Sequence, residues 1–239
     1  MNKKISFLRI LALDTSSQNL SLAVSSDTQI LRSWNRRLKK VLSSSIVPMI
    51  DQILKAAGIS FTDLDGFAVG LGPGSFTSLR VGLATVKGLI LATEKPVVGI
   101  TSLDVLALNG FAYNLPQICT ICDAKRQCVY SALFQRKGHR LIKRRKETLE
   151  SMESLLAAID RDTLFIGDGV QLYQELIKDY FQKKKDTSLK VQFAREKDWY
   201  PKAANLARLA FDRLQKKQYD DGDRLVPLYL YPKDCQVKR

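Results

Sequence analysis

The stretch Gly70-Leu71-Gly72-Pro73-Gly74-Ser75-Phe76-Thr77-Ser78-Leu79-Arg80-Val81-Gly82 packs three glycines and a proline into five residues. No strand continues through that composition, because proline removes a ladder donor and glycine favours turn conformations. The apolar run before it, Gly66 to Leu71, reads as a buried strand, and the pattern after it reads as a long helix. Ser75 or Thr77 stands where a side chain can cap the orphan amides of that helix. Amides and the positive end of the helix dipole then converge on one point, which suits an anion. The glycines lack the Lys-Ser/Thr of a Walker loop, and their spacing misses G-x-G-x-x-G. A phosphate cradle built on Gly72, Gly74 and Ser75 and a purely structural turn both remain open.

The flanking chain is organised the same way. Phe7 to Leu13 is apolar except for Arg9 and ends at Asp14-Thr15-Ser16-Ser17-Gln18-Asn19; Leu20–Val24 and Gln29–Trp34 follow as strands of an antiparallel meander. Arg32, Arg36, Arg37, Lys39 and Lys40 make a basic connection. Leu42, Ile46, Ile50, Ile53, Leu54 and Ala57 recur at helical spacing up to Gly58, with Pro48 marking either a start or a kink. The helix Phe76–Ala92 is apolar nearly all round and carries Ala84, Gly88 and Ala92 on one face, open to a close helical neighbour. Pro96–Thr101 reads as a strand and Leu103–Tyr113 as a helix. Ile118–Asp123, its turn, Cys128–Phe134, and Leu164–Gly169 with the helix Val170–Phe181 then repeat the first half in order, which argues for duplication. A helix over Ala203–Lys217 and a short strand Pro227–Tyr231 close the chain.

Several motifs match a known family. The central stretch resembles the GxGPGSFTGLRIG signature of the TsaB (YeaZ) family, with Ser78 in place of a glycine. Ile10–Ser16 resembles its ILAIDTS opening, Val47–Asp51 its LLPLID helix, and Asp123–Tyr130 its DARRGEVY segment, with Gln127 near a common glycine. Pro227–Tyr231 resembles its PxYLR ending, with Tyr231 in place of the arginine. The resemblance implies an α/β fold of the actin-like ATPase (ASKHA, ribonuclease H-like) class, made of two duplicated βββαβα subdomains. These would span 1–105 and 106–239, with the last helix, about 201–217, packing back on the first. It also implies a non-catalytic subunit that binds and activates a TsaD-like transferase forming N6-threonylcarbamoyladenosine in tRNA. A TsaE-like ATPase would join transiently and tRNA would be reached through the complex. ATP and metal would belong to the partners, no cofactor would be required by this chain, and a homodimer would form when the partner is absent. The partner would be met in a four-helix arrangement by Ile46, Met49, Ile50 and Ile53 and by Val81, Ala84, Thr85, Gly88 and Ala92.

Composition and missing chemistry narrow the alternatives. The formal net charge is +14, which favours an acidic partner such as nucleic acid. Seven cations gather between Arg136 and Lys146. The Val81–Ala92 apolar run is interrupted by Lys87 and too short for a membrane span, and the N-terminus, with Lys3 and Lys4, lacks a leader pattern, so a cytoplasmic address is expected. Four cysteines make no disulfide framework. His139 is the single histidine, which precludes a His-pair metal site, and its basic surroundings read as an exposed turn. A peptidase is thereby disfavoured. An actin-like phosphotransferase or ATPase would use Asp14 and Ser16 with the Gly72–Ser75 turn and Asp123, as the fold analogy suggests; the bland alternative makes each aspartate the cap of its own turn.

Overall fold

A computed structural model describes residues 7–38, 41–183 and 189–231. Lys3, Lys4, Lys39 and Lys40, which figure in the readings above, and Cys235, one of the four cysteines, lie outside them. The chain divides into two units, one running to Val105 and including Pro201–Pro227, the other Leu106–Tyr200 with the chain from Leu228 onward.

The first unit begins with the antiparallel meander β1 (Arg9–Asp14), β2 (Asn19–Ser26) and β3 (Gln29–Arg37). Helix α1 (Leu42–Ala57) then leads to β4 (Gly66–Gly70), α2 (Phe76–Thr93), β5 (Val97–Ile100) and α3 (Ser102–Ala107). The sheet order is β3-β2-β1-β4-β5, with β4 parallel to β1 and β5 parallel to β4. Side-chain alternation along the strands loads both faces. Leu11, Leu13, Leu22, Phe67 and Val69 pack under α1 and α2, while Ile10, Ala12, Ala23 and Ala68 pack under α6 (Ala203–Gln215). The face toward α6 is lined by alanines on both sides, Ala203, Ala207 and Ala210 included, so helix and sheet approach closely.

The second unit repeats this plan. It consists of β6 (Gln117–Asp123), β7 (Cys128–Lys137), β8 (Arg140–Ser151), α4 (Met152–Ala157), β9 (Thr163–Ile166), α5 (Gly169–Lys183) and β10 (Val191–Phe193). Its sheet order, β8-β7-β6-β9-β10, is the order of the first unit position for position, with the same antiparallel and parallel pairings. Two sheets sharing that topology make the duplication a structural fact and give the actin-like α/β fold.

Local chemistry explains where elements depart from expectation. Pro48 neither starts nor ends α1, which runs unbroken from Leu42; the Ser44 and Ser45 hydroxyls donate back to the Val41 carbonyl at 3.0 Å, and Gly58 closes the helix at φ 70. The helix expected over Leu103–Tyr113 is α-helical only to Ala107 and tightens to 3-10 turns over Leu108–Tyr113, where Asn109 donates to the Asp198 and Tyr200 carbonyls at 2.9 Å. Pro227–Tyr231 is not a strand. The Tyr231 hydroxyl instead donates to the Ala124 carbonyl at 2.6 Å, and its ring meets Tyr130 edge-on at 6.2 Å.

Leu206 of α6 is fully buried against the alanine-lined face. Leu206→Ala is expected to cost about 2–5 kcal/mol by leaving a cavity that the short alanines cannot fill. Urea unfolding of the full chain measures it.

Candidate functional site

The sequence of β4 followed by Leu71–Ser75 makes a turn that is tied to its own unit at nearly every step. Leu71 N–H donates to the Ile100 carbonyl at 2.9 Å, Gly72 N–H to Ser102 Oγ at 3.0 Å and Ser75 N–H to the Ser16 carbonyl at 2.8 Å. The Gly72 carbonyl accepts from Ser102 N–H at 2.7 Å, and the Gly72–Pro73 peptide is cis. Gly72 holds φ 89, where glycine is favoured. Gly74 is required for closeness instead: a Cβ there would lie 2.1 Å from the Ser16 carbonyl oxygen. Ser75 occupies the cap position of α2 without making a side-chain cap; its hydroxyl pairs with Ser78 Oγ at 3.0 Å. Ser78 lies within the helix and its carbonyl accepts from Thr15 Oγ1 at 2.8 Å, so the serine costs this turn no special conformation.

Asp14 ends β1 beside this turn and is 1% exposed. Its Oδ1 accepts from Ser16 N–H at 2.9 Å and Ser16 Oγ at 2.7 Å, and its Oδ2 accepts from Ser102 Oγ at 2.7 Å. Burial pushes its carboxyl above the ordinary range, while the hydrogen bonds from Ser102 and Ser16 pull it back down. Five of the candidate residues, Asp14, Ser16, Gly72, Gly74 and Ser75, thus meet at one place, where protein donors already serve the Asp14 carboxylate. The bond to Ser16 N–H is the turn-capping role of an aspartate. Ser102 carried no signal in the sequence; parallel pairing of β4 with β5 delivers it.

Asp123 lies in the other unit, at the end of β6. Its Oδ1 accepts from Lys125 N–H at 2.8 Å, its Oδ2 pairs with the Lys125 ammonium, and its own N–H donates to Asp168 Oδ1 at 3.1 Å. Burial raises the Asp168 carboxyl, and the Asp123 charge adds to that. The hydrogen bond to Asp123, and then its charge, raise Lys125. Lys125, Arg126 and Gln127 hold φ 65, 51 and 60 in succession, without the glycine that the resemblance supplies near Gln127. Each such non-glycine residue costs roughly 1–2 kcal/mol, offset here by Cys128 N–H to the Lys125 carbonyl at 2.9 Å and Ala124 N–H to the Cys128 carbonyl at 3.0 Å. The Leu-Phe-Ile-Gly-Asp-Gly echo pointed to this aspartate's turn, and the pairing of β9 with β6 brings it to Asp123.

His139 is exposed in the β7–β8 turn. It lines an open cavity of about 440 Å³ with Asn114, Leu115, Pro116, Arg136 and Gly138, a lining without a carboxylate, thiol or hydroxyl. Among the described residues no group of three or more His, Cys, Asp or Glu is placed to hold a metal ion.

The two helices assigned to a partner divide their residues. Ile46, Ile50 and Ile53 were expected at the contact; the structure turns them into the unit's own core at 1%, 4% and 0% exposure, because the same apolar stripe covers the sheet. Met49, Val81 and Thr85 are half-buried, and Ala84, Gly88 and Ala92 are exposed, as are Phe76, Leu91 and Val47. At 18 residues, α2 exceeds the Val81–Ala92 run read as too short for a membrane, and by length and composition it is apolar enough to cross one. Its buried side, Leu79, Gly82, Leu83 and Val86, is packed in the unit.

Two outcomes separate a structural turn from a phosphate cradle. Gly74→Ala is expected to cost roughly 1–3 kcal/mol by overpacking against the Ser16 carbonyl, lowering Tm by about 2–4 °C per kcal/mol, whereas Ser75→Ala leaves Tm nearly unchanged; calorimetric melting checks both. Asp14 supplies the second. Its folded carboxyl titrates above its unfolded one, so its contribution is fully present below about pH 4 and is lost as pH rises through the folded value. Against Asp14→Asn, which does not titrate, the parent chain should lose relative stability across that window, as urea unfolding at a series of pH values would measure.

The family model for tRNA N6-adenosine threonylcarbamoyltransferase (TsaD) matches residues 36–238. The tRNA threonylcarbamoyladenosine biosynthesis protein TsaB of Bacillus subtilis (strain 168) is 29% identical over 234 residues, 97% of either chain. The fold is similar to YeaZ from Pseudomonas aeruginosa, at TM-score 0.77 and 23% identity over 93% of this chain and 100% of that one. It is also similar to component A of the (R)-2-hydroxyglutaryl-CoA dehydratase of Acidaminococcus fermentans, at TM-score 0.51 and 10% identity over 87% and 99%. The chain therefore belongs to the family which that model describes and, within it, to TsaB (YeaZ).

Proposed function

We propose that this chain is the non-catalytic subunit that binds and activates a TsaD-type threonylcarbamoyltransferase, in forming N6-threonylcarbamoyladenosine in tRNAs reading codons that begin with A. The observation that carries the reading is the outer face of α2. Leu91 is 86% and Phe76 51% exposed, the latter with Arg80 over its ring at 3.7 Å, and beyond Arg80 the residues Ala84, Gly88, Leu91 and Ala92 leave an apolar strip with nothing within 4 Å of a Cβ built at Gly88. α1 packs beside α2 and adds Val47, 56% exposed. Apolar helix faces of this kind mark a protein contact, and small residues let a second helix approach closely. A paralogous transferase built on the same fold offers a matching helix pair. In its absence the same face would join two copies of this chain.

Catalysis in this reading belongs to the partner. A TsaE-type ATPase joins transiently, ATP and metal are held by the other subunits, tRNA is reached through the assembly, and the site of action is the cytoplasm. A phosphotransferase reading has no such support, since the Asp14 carboxylate is buried and served by Ser16 and Ser102. Gly88→Leu tests the interface. The side chain enters open space, so the fold and Tm should be unchanged. Association with the TsaD-type partner should weaken by roughly 1–3 kcal/mol through overpacking at the contact, measured by titration calorimetry. Unchanged affinity would remove this face from the interface.

A further inference from the structure

We propose that the outward face of the edge strand β8 is an RNA-backbone contact, in which Arg140, Arg144 and Lys146 bind phosphates of tRNA. The choice of tRNA as the polyanion rests on the function proposed above; the charge arrangement stands without it.

The seven cations of Arg136–Lys146 are not equivalent. Exposure alternates along β8, with Arg140, Ile142, Arg144 and Lys146 exposed and Leu141, Lys143 and Arg145 half-buried. The half-buried cations serve the fold. Lys143 pairs with Glu147 and lies 5.7 Å from the Phe134 ring centre, and Arg145 pairs with Glu150. Arg136, at the end of β7, donates to the Phe111 carbonyl at 2.9 Å and covers the Phe111 ring. Among the described residues the outward set has no such carboxylates. The acid whose titration feels Arg144 is Asp160, and Arg161 already holds it through two hydrogen bonds of 2.7 Å. Arg144 and Lys146, two apart on the strand, stand about 7 Å from one another, a step that matches consecutive phosphates on an RNA strand, and Arg140 lies two such steps from Arg144 across Ile142. Arginine forks and lysine ammoniums both bind phosphate oxygens. With no base-reading group in the row, the contact is blind to sequence.

Charges on an edge strand also guard against edge-to-edge pairing, and the other sheet shows what that looks like. Its edge strand β3 carries Arg32, Arg36 and Arg37 at uneven spacing; Arg36 lies over the Trp34 ring at 4.7 Å, and Arg32 donates to the Leu31 carbonyl at 2.9 Å. Among the described residues the outward β8 cations are unengaged by comparison, although Ile142 interrupts their row and the register with β7 shifts twice along it.

The experiment uses the full chain alone, with transcribed tRNA, and measures affinity by fluorescence anisotropy over a range of salt. The triple variant R140Q/R144Q/K146Q should lower the slope of log affinity against log salt by about 2–3. The triple variant R32Q/R36Q/R37Q removes the same charge from β3 and should leave the slope nearly unchanged. An unchanged slope in the β8 variant overturns the proposal, as does an equal loss in both variants, which would mean that net charge alone acts. Self-association of the β8 variant with tRNA affinity intact would also overturn it, in favour of edge protection. So would binding of the parent chain to phosphatidylserine vesicles but not to tRNA. No partner subunit is present, so failure here is distinct from failure of Gly88→Leu to weaken the complex.

Discussion

One buried knot of hydrogen bonds holds the first unit's functional end together. The Asp14 carboxylate at the end of β1 accepts from Ser16 in its own turn and from Ser102 at the start of α3, and Ser102 in turn accepts from Gly72 in the turn before α2. Three segments separated by as much as 88 residues are joined through one carboxylate. Burying that group is costly unless every oxygen is served, and here both are. The knot sets where α2 begins, and therefore which side of α2 enters the core.

That placement gives α2 its two characters. Leu79, Leu83 and Val86 complete the core under the sheet, with Gly82 passing Thr15 too closely for any side chain. Apart from Thr77 and Arg80 near its start, a helix this apolar has little that is polar to turn outward, so Ala84, Gly88, Leu91 and Ala92 reach the surface. Exposed apolar faces of this kind are the mark of an interaction surface. The interface proposed for a TsaD-type partner thus follows from the same constraint that orders the turn.

Duplication has kept topology and let chemistry drift. Asp14 and Asp123 end corresponding strands, yet Asp14 is sealed among hydroxyls while Asp123 binds Lys125 and an exposed turn. The edge strands differ likewise: β3 engages two of its arginines locally, whereas β8 sorts its cations into an inward, neutralised set and an outward, open one.

Much of this was legible in the residues. Short continuous apolar runs specified the strands, the Gly70–Gly74 cluster specified the turn, and the repeated strand-aspartate order announced two similar halves, because each depends on neighbours within a few residues. Three things were not legible. Ile46, Ile50 and Ile53 looked fit for a partner, since an apolar stripe is the same whether a sheet or another protein covers it; only the packing of α1 on the unit's own sheet decided. Pro227–Tyr231 looked like a strand, but Tyr231 found Ala124 and Tyr130 instead of a ladder. Ser102 carried no signal of its own; the parallel pairing of β4 and β5 carried it to Asp14. Local periodicity determined the elements; which side chains meet was decided by tertiary structure, because a hydrogen bond or a contact depends on where two distant segments are brought, and that is set by the whole sheet.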